Sequence, residues 1–162
     1  MGNDQTGRVA PAGIEAEWCF TAKVQVSAPV EMGEADGGRR RFIPIDGGSV
    51  SGPMLEGEVL PGGADWQTVD PDGVTRLEAH YAIRANDGTV IEIVNPGLRV
   101  AAPDVSAALA RGEPVSADRY YFRTTPRFMV TDGPHDWMRR TIFVATGIRT
   151  PDEVVIHFFK IC

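Results

Sequence analysis

The chain of 162 residues is poor in cysteine and has no long hydrophobic run. Its two cysteines, Cys19 and Cys162, stand far apart and match neither a metal-binding nor a redox spacing, so we expect reduced thiols. No apolar stretch approaches the roughly 18–20 residues that a membrane helix needs, and we therefore predict no membrane association. The N-terminus also lacks the basic and apolar regions of a secretory signal, which favours a cytoplasmic location.

Basic charge is scarce as well, because 16 Lys and Arg residues face 22 Asp and Glu residues and the formal net charge is −6. This balance argues against a general nucleic-acid binder. The chain contains no G-x-G-x-x-G, G-x-x-x-x-G-K-[ST] or G-x-S-x-G motif, and no H-x-H, HExxH or CxxC string. We therefore predict no cofactor and no metal, and any chemistry must come from the side chains of the protein.

Glycine and proline, in contrast, are abundant, with 18 and 12 residues. Both are turn formers, and here they separate predicted strands at about ten-residue spacing, as at 70–73 (DPDG) and 86–88 (NDG). One short helix is predicted over 103–112 (PDVSAALARG), where proline suits the first turn and glycine suits the end. Eight or more short strands with one helix predict an all-β, antiparallel barrel, and a β-sandwich is the alternative that periodicity leaves open.

The length suits one domain. Residues 1–13 are small and polar, and we expect them to form a flexible N-terminal arm before a single β-barrel domain over residues 14–162. In the segment IEAEWCFTAKVQV, which begins at Ile14, apolar residues alternate with polar ones. This alternation predicts a long, half-buried strand with Trp18 and Phe20 on the same face.

The two hairpins predict which polar residues share a face. If 70–73 and 86–89 are four-residue connections, Asp65 lies opposite Glu78, and His80 lies opposite Asn95. Alternate residues of a strand point to the same side of the sheet. One face then carries polar residues, and the other carries Trp66 and Tyr81 among apolar ones. The predicted polar face consists of Asp65, Gln67, Glu78, His80 and Asn95.

Such a face has two interpretations. Inside a partly dry cavity, one carboxyl of the Asp65–Glu78 pair would hold a proton, which provides an acid and a base, and His80 would share the proton transfer. On a solvated outer face, the same carboxylates would form weak ion pairs with arginines, each contributing about 0–1 kcal/mol. A difference of one residue in the pairing exchanges the two faces.

Two further strings contribute candidate residues. In YYFRTTPRF, Arg123 stands beside Tyr121 and could hold a carboxylate, phenolate or enolate of a ligand, or instead pair with Asp65 or Glu78 in a buried network. In HDWMRR, Trp137 and Arg139 could border a pocket mouth, although packing is the commoner role of such a tryptophan. The predicted catalytic set is Asp65, Glu78, His80 and Arg123, and the predicted substrate-binding set is Trp66, Gln67, Asn95, Tyr121, Trp137 and Arg139.

Several strings resemble the domain of unknown function 3237 family of small bacterial and fungal proteins. They are RRRFIPIDGGSVSGPMLEGEVLPGGADWQ, DGVTRLEAHYAIRANDGTVI, YYFRTTPRF and FVATGIRTPDEVVIHFFKI, and GGADWQ and YYFRT are the most specific pieces. The resemblance implies a lipocalin-like antiparallel barrel with an internal cavity but no assigned activity. The chain departs from the family pattern at His80, where an arginine is expected, at Glu92, where an aromatic is expected, and at Arg139, where an asparagine is expected.

Three functions are compatible with these features. The first is a cofactor-independent isomerase, cyclase or lyase that uses acid–base chemistry on a small apolar or aromatic molecule inside the barrel. In it, Asp65 is the first candidate base, His80 or Glu78 is the acid, and Arg123 stabilises the anion. The second is a non-catalytic carrier or sensor of such a molecule, and the third is a partner-binding module. A homo-oligomer formed through an outer sheet face is compatible with all three.

Overall fold

A computed structural model describes residues 11–162, and most of the predicted N-terminal arm lies outside the described residues. The described part is an antiparallel sheet of eleven strands with one α-helix and two short 3₁₀ helices. The strands are β1 (Ala16–Val26), β2 (Val30–Ala35), β3 (Gly38–Ser51), β4 (Gly57–Val59), β5 (Ala64–Val69), β6 (Val74–Ala85), β7 (Val90–Ala101), β8 (Tyr120–Thr124), β9 (Arg127–Met129), β10 (Phe143–Arg149) and β11 (Glu153–Ile161). Helix α1 spans Pro103–Ala110, and the 3₁₀ helices span Ala117–Arg119 and Asp136–Arg140.

Eight of these strands close into a barrel. Around the ring the order is β1, β3, β5, β6, β7, β8, β10 and β11, and β11 pairs with β1 again. Strand β2 extends from β3, β4 bridges β3 and β6, and β9 pairs with β7. The predicted antiparallel barrel is therefore confirmed. Closure leaves no free edge in the ring itself, which is the physical advantage of a barrel over an open sheet.

Helix α1 begins and ends where its sequence indicates. Pro103 occupies the first turn, where its missing N–H costs no hydrogen bond, and Gly112 follows the end of the helix with a φ of +73°. The helix buries Val105 and Leu109 against the barrel. No helix among residues 11–162 is long and apolar enough to cross a membrane.

The two hairpins differ from the prediction by one residue each. Asp70 donates its N–H to Val74 and accepts from Gly73, whose φ is +92°, so the first connection is a three-residue loop. The second hairpin repeats this geometry, with Ala85 paired to Thr89 and Gly88 at a φ of +90°. In both, the loop ends on a glycine in the left-handed region and is one residue shorter than the predicted four-residue connection.

The shorter loops change the strand pairing. Trp66, not Asp65, lies opposite Glu78, and His80 lies opposite Val94. Asp65 lies opposite Ala79, which in turn lies opposite Asn95. The predicted Asp65–Glu78 and His80–Asn95 pairs were therefore wrong.

A β-bulge also breaks the alternation predicted for β1. The pairing with β11 shifts between Trp18 and Phe20, so that Cys19 and Phe20 are both fully buried while Trp18 is 44% exposed. An extra residue in one strand re-aims the side chains before it. Trp18 and Phe20 were predicted on one face and lie on opposite faces.

The barrel interior is apolar at one end and polar at the other. At the apolar end, Phe20 stacks on Phe158 with ring centroids 4.6 Å apart, and the ring edge of Phe128 meets Phe143 at 4.9 Å. Burying such a side chain stabilises the fold by about 1.5–3 kcal/mol each. The same strands continue to the other end, where inward positions carry charged and polar groups. This polar end, beside the C-terminal end of α1, contains the candidate site.

Candidate functional site

A chain of hydrogen bonds occupies the interior of the polar end. Arg41 on β3 donates its Nε–H to Gln67 Oε1 at 2.9 Å, and Gln67 Nε2 donates to Asp65 Oδ2 at 2.7 Å. Asp65 and Gln67 are two residues apart on β5, and Arg41 lies directly opposite Gln67, so all three point inward. Asp65 Oδ1 is shielded from solvent and has no hydrogen-bond partner among the described residues. One carboxylate oxygen is thus held in place while the other is buried and unpaired, in a side chain that lines the cavity.

Two further arginines reach the same region. Arg99 on β7 is only 5% exposed, and Arg149 ends β10. Arg99 Nε and Arg149 Nη1 are buried atoms with no hydrogen-bond partner within residues 11–162. Of the three arginines, Arg41 has a carboxylate within 4 Å in the described part of the chain, namely that of Glu31 at 3.9 Å. Buried donors without partners are uncommon in folded proteins and indicate a position for an acceptor that is not part of the chain.

Burial dominates the electrostatics of these groups. It raises the pKa of Asp65 to about 6, although the hydrogen bond from Gln67 and the positive charges of Arg99, Arg41 and Arg149 oppose the change. Burial, together with repulsion from the other two arginines, lowers the pKa of Arg99 to about 10. A carboxyl with a pKa near neutrality exchanges a proton readily at physiological pH, as a general acid or base must.

Tyr81, Asn95 and Thr124 complete the polar lining. Burial raises the pKa of Tyr81 far above its ordinary value, and the negative charge of Asp65 adds to the effect, so the hydroxyl keeps its proton. Tyr81 Oη, Asn95 Oδ1 and Thr124 Oγ1 are buried and make no hydrogen bond to any residue between 11 and 162. Donors and acceptors that converge on one space without pairing to each other are typical of a ligand site.

The cavity itself is narrow. Its empty space, open solvent included, is about 540 Å³, and only about 40 Å³ can hold the centre of a water-sized sphere. That smaller volume suits two or three water molecules. A second pocket, of about 290 Å³ by the same measure, shares Arg99 and Arg149 with the cavity and is also lined by Arg41 and the end of α1; we call it the mouth. A ligand larger than a few atoms would therefore extend into this mouth.

The structure places three of the four predicted catalytic residues away from this cavity. Glu78 and His80 point outward from β6, and the His80 side chain is 58% exposed, with Nε2 3.6 Å from Glu92 Oε1. Arg123 is exposed on the outer face of β8, where its guanidinium lies 5.2 Å from the centre of the Tyr121 ring. The predicted roles of Glu78, His80 and Arg123 in the cavity were wrong, because the faces of β6 are exchanged and the inward positions of β8 fall on Phe122 and Thr124.

Four of the predicted substrate-binding residues are also outside the cavity. Tyr121 is 52% exposed, and Trp66 packs on Phe42 at the outer surface with ring centroids 4.8 Å apart. Trp137 packs against Phe143 at the apolar end. Arg139 is exposed, forms an ion pair with Asp132 and donates to the carbonyl of Val130 at 2.8 Å. Gln67 and Asn95, in contrast, line the cavity together with Asp65.

The sequence interpretation missed Arg41, Arg99, Arg149 and Tyr81. The signal was present, because each arginine stands on the same parity as buried apolar neighbours of its strand. Arg41 lies on the same face of its strand as the buried Ile43 and Ile45. Arg99 lies on the same face of its strand as the buried Ile93 and Asn95. An arginine in an otherwise apolar series is the exception that indicates a buried charge. Among residues 11–162, no cluster of three or more His, Cys, Asp or Glu side chains is arranged to hold a metal ion.

Comparison with known proteins identifies relatives over nearly the whole chain. The model of the family described as "Protein of unknown function (DUF3237)" matches residues 14–161. A UPF0311 protein of Clostridium acetobutylicum is 43% identical over 146 residues, which cover 90% of this chain and 92% of that protein. The crystal structure of a conserved protein of unknown function from Rhodopseudomonas palustris is similar with a TM-score of 0.91 and 37% identity, and the match covers 94% of this chain and 100% of that one.

A more distant relative has a named activity. A hydroalkoxylation enzyme of Penicillium herquei is 30% identical over 81 residues, which cover 50% of this chain and 54% of that enzyme. The match of the family model to residues 14–161, together with the extent of the bacterial relatives, shows that the chain belongs to the DUF3237 family.

Proposed function

We propose that the protein is a cofactor-independent enzyme that moves a proton on a small organic molecule, with Asp65 as the general acid and base. The observation that carries the proposal is the asymmetry of the Asp65 carboxyl. Gln67 holds Oδ2 at 2.7 Å, whereas Oδ1 is buried and unpaired, and the Asp65 side chain lines the cavity. A fixed carboxyl whose pKa lies near 6 is suited to proton transfer at neutral pH.

The reaction would proceed in two proton transfers. Ionised Asp65 takes a proton from a C–H or O–H group of the substrate, and the electron pair stays on the substrate as an enolate, phenolate or alkoxide. The positive charges of Arg99 and Arg149, which act on the same cavity, stabilise this anion. Protonated Asp65 then returns the proton to a different atom. Isomerisation, ring closure and elimination all fit this scheme without oxidation or reduction.

The name of the Penicillium herquei relative supports the same class of chemistry. A hydroalkoxylation adds an O–H group across a carbon–carbon double bond, so one proton leaves oxygen and one is added to carbon. A cavity with one acid–base group and adjacent positive charge is sufficient for such an addition. Ring closure of a phenol that carries an unsaturated side chain is an instance of this reaction.

Proton abstraction can be tested before the substrate is known. We would incubate the protein in D₂O with a panel of enolisable ketones, keto acids and alkenyl phenols, and measure deuterium incorporation by mass spectrometry. The wild type and Glu78→Gln, a variant on the outer face, should incorporate deuterium equally. Asp65→Asn should lose at least about a hundredfold in rate, the usual contribution of a positioned acid–base group. If a panel compound binds to both the wild type and Asp65→Asn, but no variant incorporates deuterium into it, the protein is instead a non-catalytic carrier.

A further inference from the structure

Three cations converge at the mouth of the cavity from strands that are distant in the sequence. Arg41, Arg99 and Arg149 belong to β3, β7 and β10, and all three border the mouth. Arg41 and Arg99 are 6% and 5% exposed. Like charges this close repel each other, and desolvation adds to the cost of keeping them charged. Such an arrangement is retained where a counter-charge binds.

Carboxylates of the chain offset only part of this charge. Glu31 approaches Arg41 at 3.9 Å, the negative charge of Asp65 acts on all three arginines, and that of Asp152 acts on Arg149 as well. Arg99 has no carboxylate within 4 Å in the described part of the chain, and its buried Nε has no hydrogen-bond partner there. Two buried donor atoms, Arg99 Nε and Arg149 Nη1, therefore remain without a hydrogen-bond partner among the described residues. Both arginines line the cavity as well as the mouth.

We propose that Arg99 and Arg149, supported by Arg41, bind the carboxylate of a small organic acid, and that this acid is the substrate of the site. A planar guanidinium presents paired donors that match the two oxygens of a carboxylate. Apolar walls from Val26, Ile43 and Leu109 surround the arginines in the mouth, which suits an organic ligand better than a bare inorganic anion.

That the acid is the substrate rests on the proposed function, whereas the binding of its carboxylate does not. With the carboxylate at the boundary, the uncharged part of the acid has two directions available. The inner cavity leads to Asp65, and the mouth leads outward past the end of α1. The reacting group must lie on the inner side, because the Asp65 side chain lines the inner cavity and not the mouth.

The test compares ligands that differ in charge but not in shape. We would measure binding of benzoate, of its neutral isostere benzamide and of inorganic phosphate by titration calorimetry. Wild-type protein should bind benzoate at least about tenfold more tightly than benzamide, since a charge-assisted hydrogen bond is much stronger than a neutral one. Arg99→Met should abolish this preference. Arg123→Met, which removes an arginine from the outer face, should keep it.

Each other outcome overturns the proposal. Equal affinity for benzoate and benzamide, or no saturable binding of benzoate, would show that the arginines do not select a carboxylate. Tighter binding of phosphate than of benzoate would exclude an organic acid as the preferred ligand. If Arg99→Met does not fold, as judged by circular dichroism, Arg149→Met provides the same comparison.

The benzoate titration and the deuterium assay can succeed or fail independently of each other. Asp65→Asn removes a negative charge from the cavity and should bind benzoate more tightly, even though it should lose deuterium incorporation. If the protein binds benzoate selectively but no carboxylic acid of the panel incorporates deuterium, the anion site is supported and the proposed enzyme is refuted. If only neutral compounds incorporate deuterium, the proposed enzyme is supported and the carboxylate site is refuted.

Discussion

Replacing Asp65 by asparagine should change the stability of the protein in a way that depends on pH. Burial raises the pKa of this carboxyl from 3.8 to about 6, so the folded state binds the proton more tightly than the unfolded state does. The contribution of protonated Asp65 to stability is complete below pH 3.8 and is lost as the pH rises through about 6. Asparagine is nearly isosteric with the protonated carboxyl and does not ionise, so it avoids this loss.

The size of this stability difference follows from the size of the change in the pKa of Asp65. Moving a pKa from 3.8 to about 6 corresponds to about 3 kcal/mol between the protonated and ionised forms. Asp65→Asn should therefore be more stable than the wild type by about 3 kcal/mol at pH 7, and the difference should nearly vanish at pH 4. A gain in stability on removing a carboxylate near three arginines is the opposite of what ion pairing alone would predict.

Urea unfolding at pH 4, 5, 6 and 7, followed by circular dichroism, measures this difference. Glu78→Gln, which changes a carboxyl on the outer face of the same hairpin, serves as the matched control. Its free energy of unfolding should vary with pH as that of the wild type does. A difference between Asp65→Asn and wild type that does not vary with pH would refute the inference that burial dominates. A loss of stability that grows with pH would show that the arginines stabilise the ionised carboxylate more than burial destabilises it.

Two further predictions concern packing inside the barrel. Gly147 lies under the ring of Phe122, which a Cβ at this position would meet at 2.6 Å, so Gly147→Ala should lower the free energy of unfolding by about 1–3 kcal/mol, whereas Gly13→Ala, in open space, should change it little. Phe158 is fully buried and Tyr121 is half exposed, so in thermal and urea unfolding Phe158→Ala should cost about 3–5 kcal/mol and Tyr121→Ala much less.

The hairpin loops show how a local error can leave part of a prediction correct. The predicted connections are each one residue too long, and each error exchanges the faces of one strand relative to its neighbour. Because the two errors cancel across β6, Asp65 and Asn95 remained on a common face, and this face lines the cavity. Glu78 and His80, on the strand between them, were assigned to the wrong side. The length of a turn thus decided which carboxyl is buried.

The arginine cluster could not be placed by the same means. Arg41 and Arg149 are separated by about two thirds of the chain, with Arg99 between them, and hairpin pairing relates only neighbouring strands. Their convergence depends on closure of the ring through β1 and β11, which no local pattern specifies. Alternation would have shown that each arginine faces inward, but not that the three meet at one end.

Local chemistry accounts for the elements of this protein. Proline and glycine mark the ends of α1, glycines close the hairpin loops, and alternation of apolar residues produces strands that must bury one face. These are short-range properties of the backbone and of side-chain solvation, so they can be read along the chain. The pairing register, the bulge in β1 and the meeting of Asp65 with three arginines depend on how distant strands pack. Only the closed barrel brings these groups out of water together, and their altered proton affinities follow from that shared burial.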